Sequence, residues 1–392
     1  MHRHRCYVFT VLAAVTVLAL LAASSADAIP AFARKYQFSC STCHAPVPRL
    51  KPFGEEFAAR GFVLPPDQEP PRATIDVGDP WLKLMRELPL AVRFDGYASW
   101  REELGDGVDF ELPWAFKILS GGPIAKNISY YVYGIFEEGH SAKLEDAYVQ
   151  FSRVFGLPVE VLVGQFQVCD PLFKRELRLE REDYQIFKTR VGMTNTNLAY
   201  DRGVVLAWSA PGEVDVIAQI VNGNGIDPVW ADSFDDNTYK NTSLRLARQF
   251  GPVRLGVFSY LGKVAPLQPS RNNRTTFLGP DLVVDINPNL QFNLQYLQRK
   301  DTNPYRGTRP VRDVHTRGGF AELLYFPQGP DGPWALAALY NRVASDDDQA
   351  DYESASLTLT RLLARNVRVN GELARDLENR SWRLSAGFVT AF

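Results

Sequence analysis

Beyond its leader this chain has no apolar run of helix-spanning length, so any membrane role must come through a barrel or a surface contact. It is also poor in residues that hold metals, with four cysteines, five histidines and three methionines among 392 residues. Cys6 belongs to the leader, which leaves Cys40, Cys43 and Cys169, an odd set unsuited to a disulfide framework. Positive charge shows no excess. Its 43 Lys and Arg stand against 45 Asp and Glu, a net charge of −2 that gives no reason to expect nucleic acid. With 45 % hydrophobic and 12 % aromatic residues the composition excludes a disordered chain.

The leader itself is well marked. His2, Arg3, His4 and Arg5 precede an apolar run from Tyr7 to Ala23, and Ala26-Asp27-Ala28 supplies the small-x-small pattern of signal peptidase cleavage. Residues 1–28 therefore read as an export signal, the alternative being a single anchor near the lower length limit for a span.

Four regions follow from composition and period: the signal, a compact segment over residues 29–63, a proline-rich extended linker over 64–86, and a long alternating region over 87–392. In the last of these, Leu290, Phe292, Leu294 and Tyr296 share one face while Gln291, Asn293 and Gln295 share the other, the period of a strand with one wet side. Val367, Val369, Gly371 and Leu373 oppose Arg368, Asn370 and Glu372 in the same way, and Leu357 and Leu359 oppose Ser356, Thr358 and Thr360. Short links (155–158, 210–213, 250–252, 287–289) alternate with long ones (222–240, 262–275, 299–315). This is the pattern of an outer-membrane barrel, with tight periplasmic turns and longer external loops. The predicted fold class is all-β: a transmembrane β-barrel of about sixteen antiparallel strands, preceded by a small α-helical domain. A soluble sandwich is the rival architecture. The terminal strand, ending in Phe392, resembles the sorting signal of such barrels.

The longest link, residues 171–200, is the third external loop on this reading. By resemblance to general porins it would fold inward, so that Lys174, Arg175, Glu176, Arg178, Glu180, Arg181, Glu182 and Asp183 line the lumen. Its dense mixed charge equally suits a solvated external helix. Cys169, at its entrance, reads as a small packing residue.

The chemistry lies in Cys40-Ser41-Thr42-Cys43-His44. In a secreted chain this spacing attaches haem c, with two thiols on the vinyl groups and the imidazole on the iron, so residues 29–63 read as a small α-helical monohaem cytochrome c domain. A redox dithiol and half a zinc site are the competing readings. Phe38, Leu50, Phe53, Phe57 and Phe62 could wrap the macrocycle, Phe53 and Phe57 standing one helical turn apart after Pro52. No second His or Met lies in the small domain, so a sixth ligand would have to come from Met85, Met193, His140 or His315, or the position stays open.

The stretch "IPAFARKYQFSCSTCHAPVPRLKPFGEEFAARGF", followed by a linker and a barrel, resembles the fused monohaem porin-cytochromes of the bacterial outer membrane, best known as ferrous iron oxidases. The resemblance implies that Cys40 and Cys43 hold the haem and His44 is the proximal ligand. It also implies an electron conduit, with Fe(II) as extracellular donor and a periplasmic c-type cytochrome as acceptor, because one haem divides a tunnelling distance of about 25 Å. Acidic stretches at Asp232, Asp235 and Asp236 and at Asp346 to Asp348 could gather cations, or simply be solvated loop charge. Two other classes stay open: a porin-type solute channel with a haem plug or redox-sensing domain, and an oxidoreductase acting at an open haem iron.

Overall fold

The structure, a computed structural model, describes residues 31–392 apart from 47, 66, 71–73, 87–88, 106, 138–141, 227–232, 236, 265–272 and 306–311. The expected leader, His140, Asp232 and Asp236 lie outside the described residues.

Three short helices open the described chain, α1 (Ala31–Tyr36), α2 (Cys40–Cys43) and α3 (Pro52–Ala59). Next comes a small hairpin, β1 (Thr74–Asp76) and β2 (Lys83–Met85). Sixteen barrel strands follow: β3 (Leu90–Arg101), β4 (Val108–Ala125), β5 (Ile128–Glu137), β6 (Lys143–Phe151), β7 (Val159–Phe166), β8 (Asp201–Ala210), β9 (Val214–Val221), β10 (Asn241–Phe250), β11 (Val253–Val264), β12 (Asn273–Asn287), β13 (Leu290–Thr302), β14 (Asp313–Tyr325), β15 (Trp334–Ser345), β16 (Tyr352–Ala364), β17 (Val367–Asp376) and β18 (Ser381–Ala391). Each pairs antiparallel with its sequence neighbours, and β18 pairs with β3 to close the cylinder. The expected count is met, with the first strand beginning at Leu90. Closure extends to the last residue, since Val92 and Phe392 exchange backbone hydrogen bonds of 2.7 and 2.9 Å. Among the described residues the barrel itself leaves no sheet edge for another chain to pair with.

The alternation read from the sequence survives, with its burial inverted. Gln295 is 1 % exposed and Asn293 is buried, whereas Tyr296 is 36 % exposed and Leu357 and Leu373 are open. In a barrel the apolar residues face outward to lipid and the polar ones inward. Here many inward residues are buried because the third loop fills part of the lumen. Short turns gather at one end, which in outer-membrane barrels is periplasmic, and the long links gather at the other.

Part of the proline-rich linker is ordered rather than extended. β1 and β2 pair Ile75 with Leu84, and their turn is held by Asp side chains. Asp76 Oδ1 accepts from Gly78 N at 2.9 Å, and Asp79 Oδ1 accepts from Trp81 N at the same distance. These are Asx turns, which local sequence can form despite neighbouring prolines.

Candidate functional site

The Cys-x-x-Cys-His segment forms a single helical turn, α2, capped by Ser39, whose side chain accepts from Ser41 N. Positions three apart share a helix face, so the turn sets Cys40 and Cys43 on one side. His44 leaves the helix in extended geometry and its ring is tied down from behind. Nδ1 lies 3.0 Å from Pro48 O and 3.2 Å from Arg49 O. Carbonyls only accept, so Nδ1 carries the proton and Nε2 keeps its lone pair, the arrangement by which proteins orient a metal-ligating imidazole. Burial, chiefly, and the charge of Arg93 push the His44 pKa down, so the ring is neutral at pH 7, its ligating form. Burial raises both Cys40 and Cys43, which stay as thiols and form no disulfide.

Helix α3 braces the motif. Lys51 N donates to Cys43 O at 2.8 Å, and Gly54 comes so close that a Cβ there would sit 2.4 Å from the same oxygen. Phe57 is buried among Phe32, Tyr36 and Phe62, with ring centroids 5.3 to 5.9 Å away. Phe53, parallel to it at 6.3 Å, is 37 % exposed and touches Phe38 edge-on. Paired thiols, an oriented neutral imidazole and an uncovered aromatic ring are a donor set that fits haem c. Among the described residues, no three His, Cys, Asp or Glu side chains gather into a group that could hold a bare metal ion.

This helical segment seats on the short-turn mouth of the barrel. Phe62 stacks on Tyr131 of β5 at 4.9 Å, Gln150 of β6 donates to Ala59 O at 2.6 Å, and Lys51 pairs with Asp331 between β14 and β15. Gly61, at φ +71°, lies so near the wall that a Cβ would meet Ser129 Oγ at 2.0 Å. Only glycine fits both that backbone and that approach.

The sixth-ligand candidates separate by end. Met193 N donates to Pro304 O at 2.8 Å and its neighbour Gly192 bonds Asp347, which places Met193 at the long-loop end. His315, bonded through its backbone to Asp346, is at that end too. A whole strand separates them from the motif, about 3.3 Å per residue over some ten residues, so neither reaches an iron held at His44. Met193 and His315 thus lie at the opposite end of the barrel from the motif. Met85 sits at the short-turn end, beside the same mouth as Leu50 and Pro52. The acidic stretches are engaged in loop structure, Asp346 and Asp347 by backbone N–H groups and Asp235 by Lys240.

The third external loop folds inward. Phe173, Tyr184, Ile186, Phe187 and Leu198 form one apolar cluster with Phe258, Phe277, Leu297, Phe320 and Leu339 of β11 to β15. A short helix α4 (Gln185–Lys188) carries two of them. From the same loop Arg181 reaches the other wall, bonding Ser99 of β3, Ser385 of β18 and Glu111 of β4. Glu182 meets Arg383 of β18 at 2.8 Å, and Arg175 and Arg178 both grip Asp183 within the loop. β4 and β12 stand eight places apart in a ring of sixteen. The loop thus spans the lumen from wall to wall. Most of its mixed charge, which alone would suit a wet surface, goes into internal pairs and contacts with the polar wall, while Glu180 is buried with neither carboxylate oxygen hydrogen-bonded. Below it a cavity of ≈ 2770 Å³ opens toward the short-turn mouth, lined by Leu172, Phe173, Lys174, Leu324 and the α3 side of the helical segment.

No family model matches the chain, and no curated protein does. Solved structures do resemble it. An anion-selective porin from Comamonas acidovorans superposes with a TM-score of 0.58 at 11 % identity, covering 78 % of this chain and 99 % of that one. The outer-membrane channel DcaP of Acinetobacter baumannii gives 0.55 at 10 % identity over 78 % and 97 %. OmpF of Salmonella typhi gives 0.54 at 12 % identity over the same shares. At such identities the likeness shows the fold alone: the chain has a porin-like, closed sixteen-stranded barrel of the outer-membrane kind. None of these neighbours speaks to a haem.

Proposed function

We propose that the protein is an outer-membrane electron conduit built on a porin barrel, passing electrons from an extracellular donor, Fe(II), to a periplasmic c-type cytochrome. The observation that supports this reading is the third loop, which folds across the lumen and bonds to both walls. Haem c bound at the motif supplies one-electron redox chemistry. Cys40 and Cys43 would hold it through thioether links to its vinyl groups. His44 presents Nε2, fixed by its Nδ1 bonds, and Phe53 lends an apolar flank. The Phe62 and Gln150 contacts hold the helical segment at the mouth. The motif sits at the periplasmic end rather than at mid-membrane, so the longer span lies on the donor's side.

The fold comparisons favour a second reading over this one, a porin-type solute channel with a haem plug or redox-sensing domain, because the neighbours are porins. One preparation separates the two. Vesicles carrying the purified protein and a trapped electron acceptor are given external Fe(II), and in parallel a small sugar. Acceptor reduction without swelling supports the conduit. Swelling at the rate of an open porin, with the acceptor left oxidised, establishes the channel.

A further inference from the structure

The β1–β2 hairpin is amphipathic in a way its neighbours are not. Register puts Ile75 opposite Leu84 on one face, with Val77 and Leu82 continuing it, and all four are exposed. Asp76 and Met85, both exposed, lie on the opposite face. At the tip Trp81 is 95 % exposed. Nothing described in the chain covers this apolar face.

Its position limits what can. Met85 is five residues from Leu90, a reach of at most about 17 Å. Leu90, Val92 and Phe94 alternate with Arg93 and Asp95, the ion pair on the lumen side, so the chain enters the lipid-facing band at Leu90 itself. Trp81 and Leu82 share the barrel mouth with Ile124 of the β4–β5 corner and with Gly156 of the next turn, where Phe155 is 96 % exposed. Exposed large apolar side chains on three adjoining elements at one rim exceed what a soluble surface carries. Tryptophan beside an exposed apolar ribbon face suits the headgroup zone, where an indole is apolar on its body and wet at its N–H.

We infer that the β1–β2 hairpin is an interfacial anchor that lies in the periplasmic leaflet of the outer membrane, its Ile75–Leu84 face and Trp81 in phospholipid. The anchor pins the linker at the rim and so fixes the helical segment over the mouth. It depends only on the barrel and not on any haem.

The full-length protein is reconstituted in phosphatidylethanolamine and phosphatidylglycerol vesicles, with and without brominated acyl chains. The emission of Trp81 is taken as the difference between the wild type and Trp81→Phe. Blue-shifted emission, quenched by brominated lipid and shielded from iodide, is expected. Emission typical of water, open to iodide and untouched by bromine, overturns the anchor. So does shielding that arises only when a periplasmic cytochrome is added, which would make the face a protein dock. A Leu84→Cys variant with an environment-sensitive label, corrected for the labelled wild type, gives the same reading should Trp81→Phe fail to insert.

Discussion

Phe187→Ala tests whether the loop truly closes the barrel. Phe187 is fully buried, its ring 5.9 Å from Phe320 on β14 and 6.1 Å from Tyr184, and its carbonyl accepts from Leu198 N at 2.9 Å. Truncating a buried Phe to Ala costs about 3–5 kcal/mol. The ring contacts the barrel only while the loop is docked, so most of that loss falls on docking rather than on the strands. At 1.4 kcal/mol per tenfold, the ratio of undocked to docked loop rises between about a hundred- and a few-thousand-fold. The polar wall, with Tyr184 donating to Glu322 at 2.6 Å and Asn341 donating to Asp183 O at 3.0 Å, still favours return, so openings should be brief. In planar bilayers the wild type is expected to be nearly silent and the variant to show frequent porin-sized openings. Heat-modifiable migration on a gel confirms that the barrel is intact. A silent, well-folded variant, or a wild type that already conducts like an open porin, refutes the docking argument.

Two further outcomes follow from the site. Gly54→Val should lower the yield of haem-containing protein severalfold, because its side chain meets Cys43 O where even a Cβ is 2.4 Å away; overpacking of this kind costs about 1–3 kcal/mol. Haem staining on a denaturing gel measures it. Met193→Ala should leave the absorption spectrum unchanged, since Met193 is at the far end of the barrel, whereas a spectral change on Met85→Ala alone would identify the distal ligand.

The barrel was legible because its signal is repetitive. The alternation at 290–296 and 367–373 and the segregation of loop lengths both point to a barrel, and counting such segments gives about sixteen strands. The filling of the lumen was not legible. Residues 174–183 look equally at home in water, and the apolar Phe173, Tyr184, Ile186 and Phe187 that flank them announce burial without saying against what. The hairpin was hidden by proline density on both sides, though Ile75, Val77, Leu82 and Leu84 alternate. Met193 could have been set aside from loop parity alone, as it lies in an external loop while the motif precedes a strand that starts at the periplasmic rim. The motif needed no fold to be read. What the structure adds is the Nδ1 tether at Pro48 and Arg49, which spacing cannot show.

The account stands most directly on the absorption spectrum of protein purified from a host able to attach haem c, recorded before and after addition of Fe(II). It predicts a single covalently bound haem whose bands sharpen to the reduced form within seconds. A colourless protein, or a haem that stays oxidised in Fe(II) while dithionite reduces it, contradicts the account.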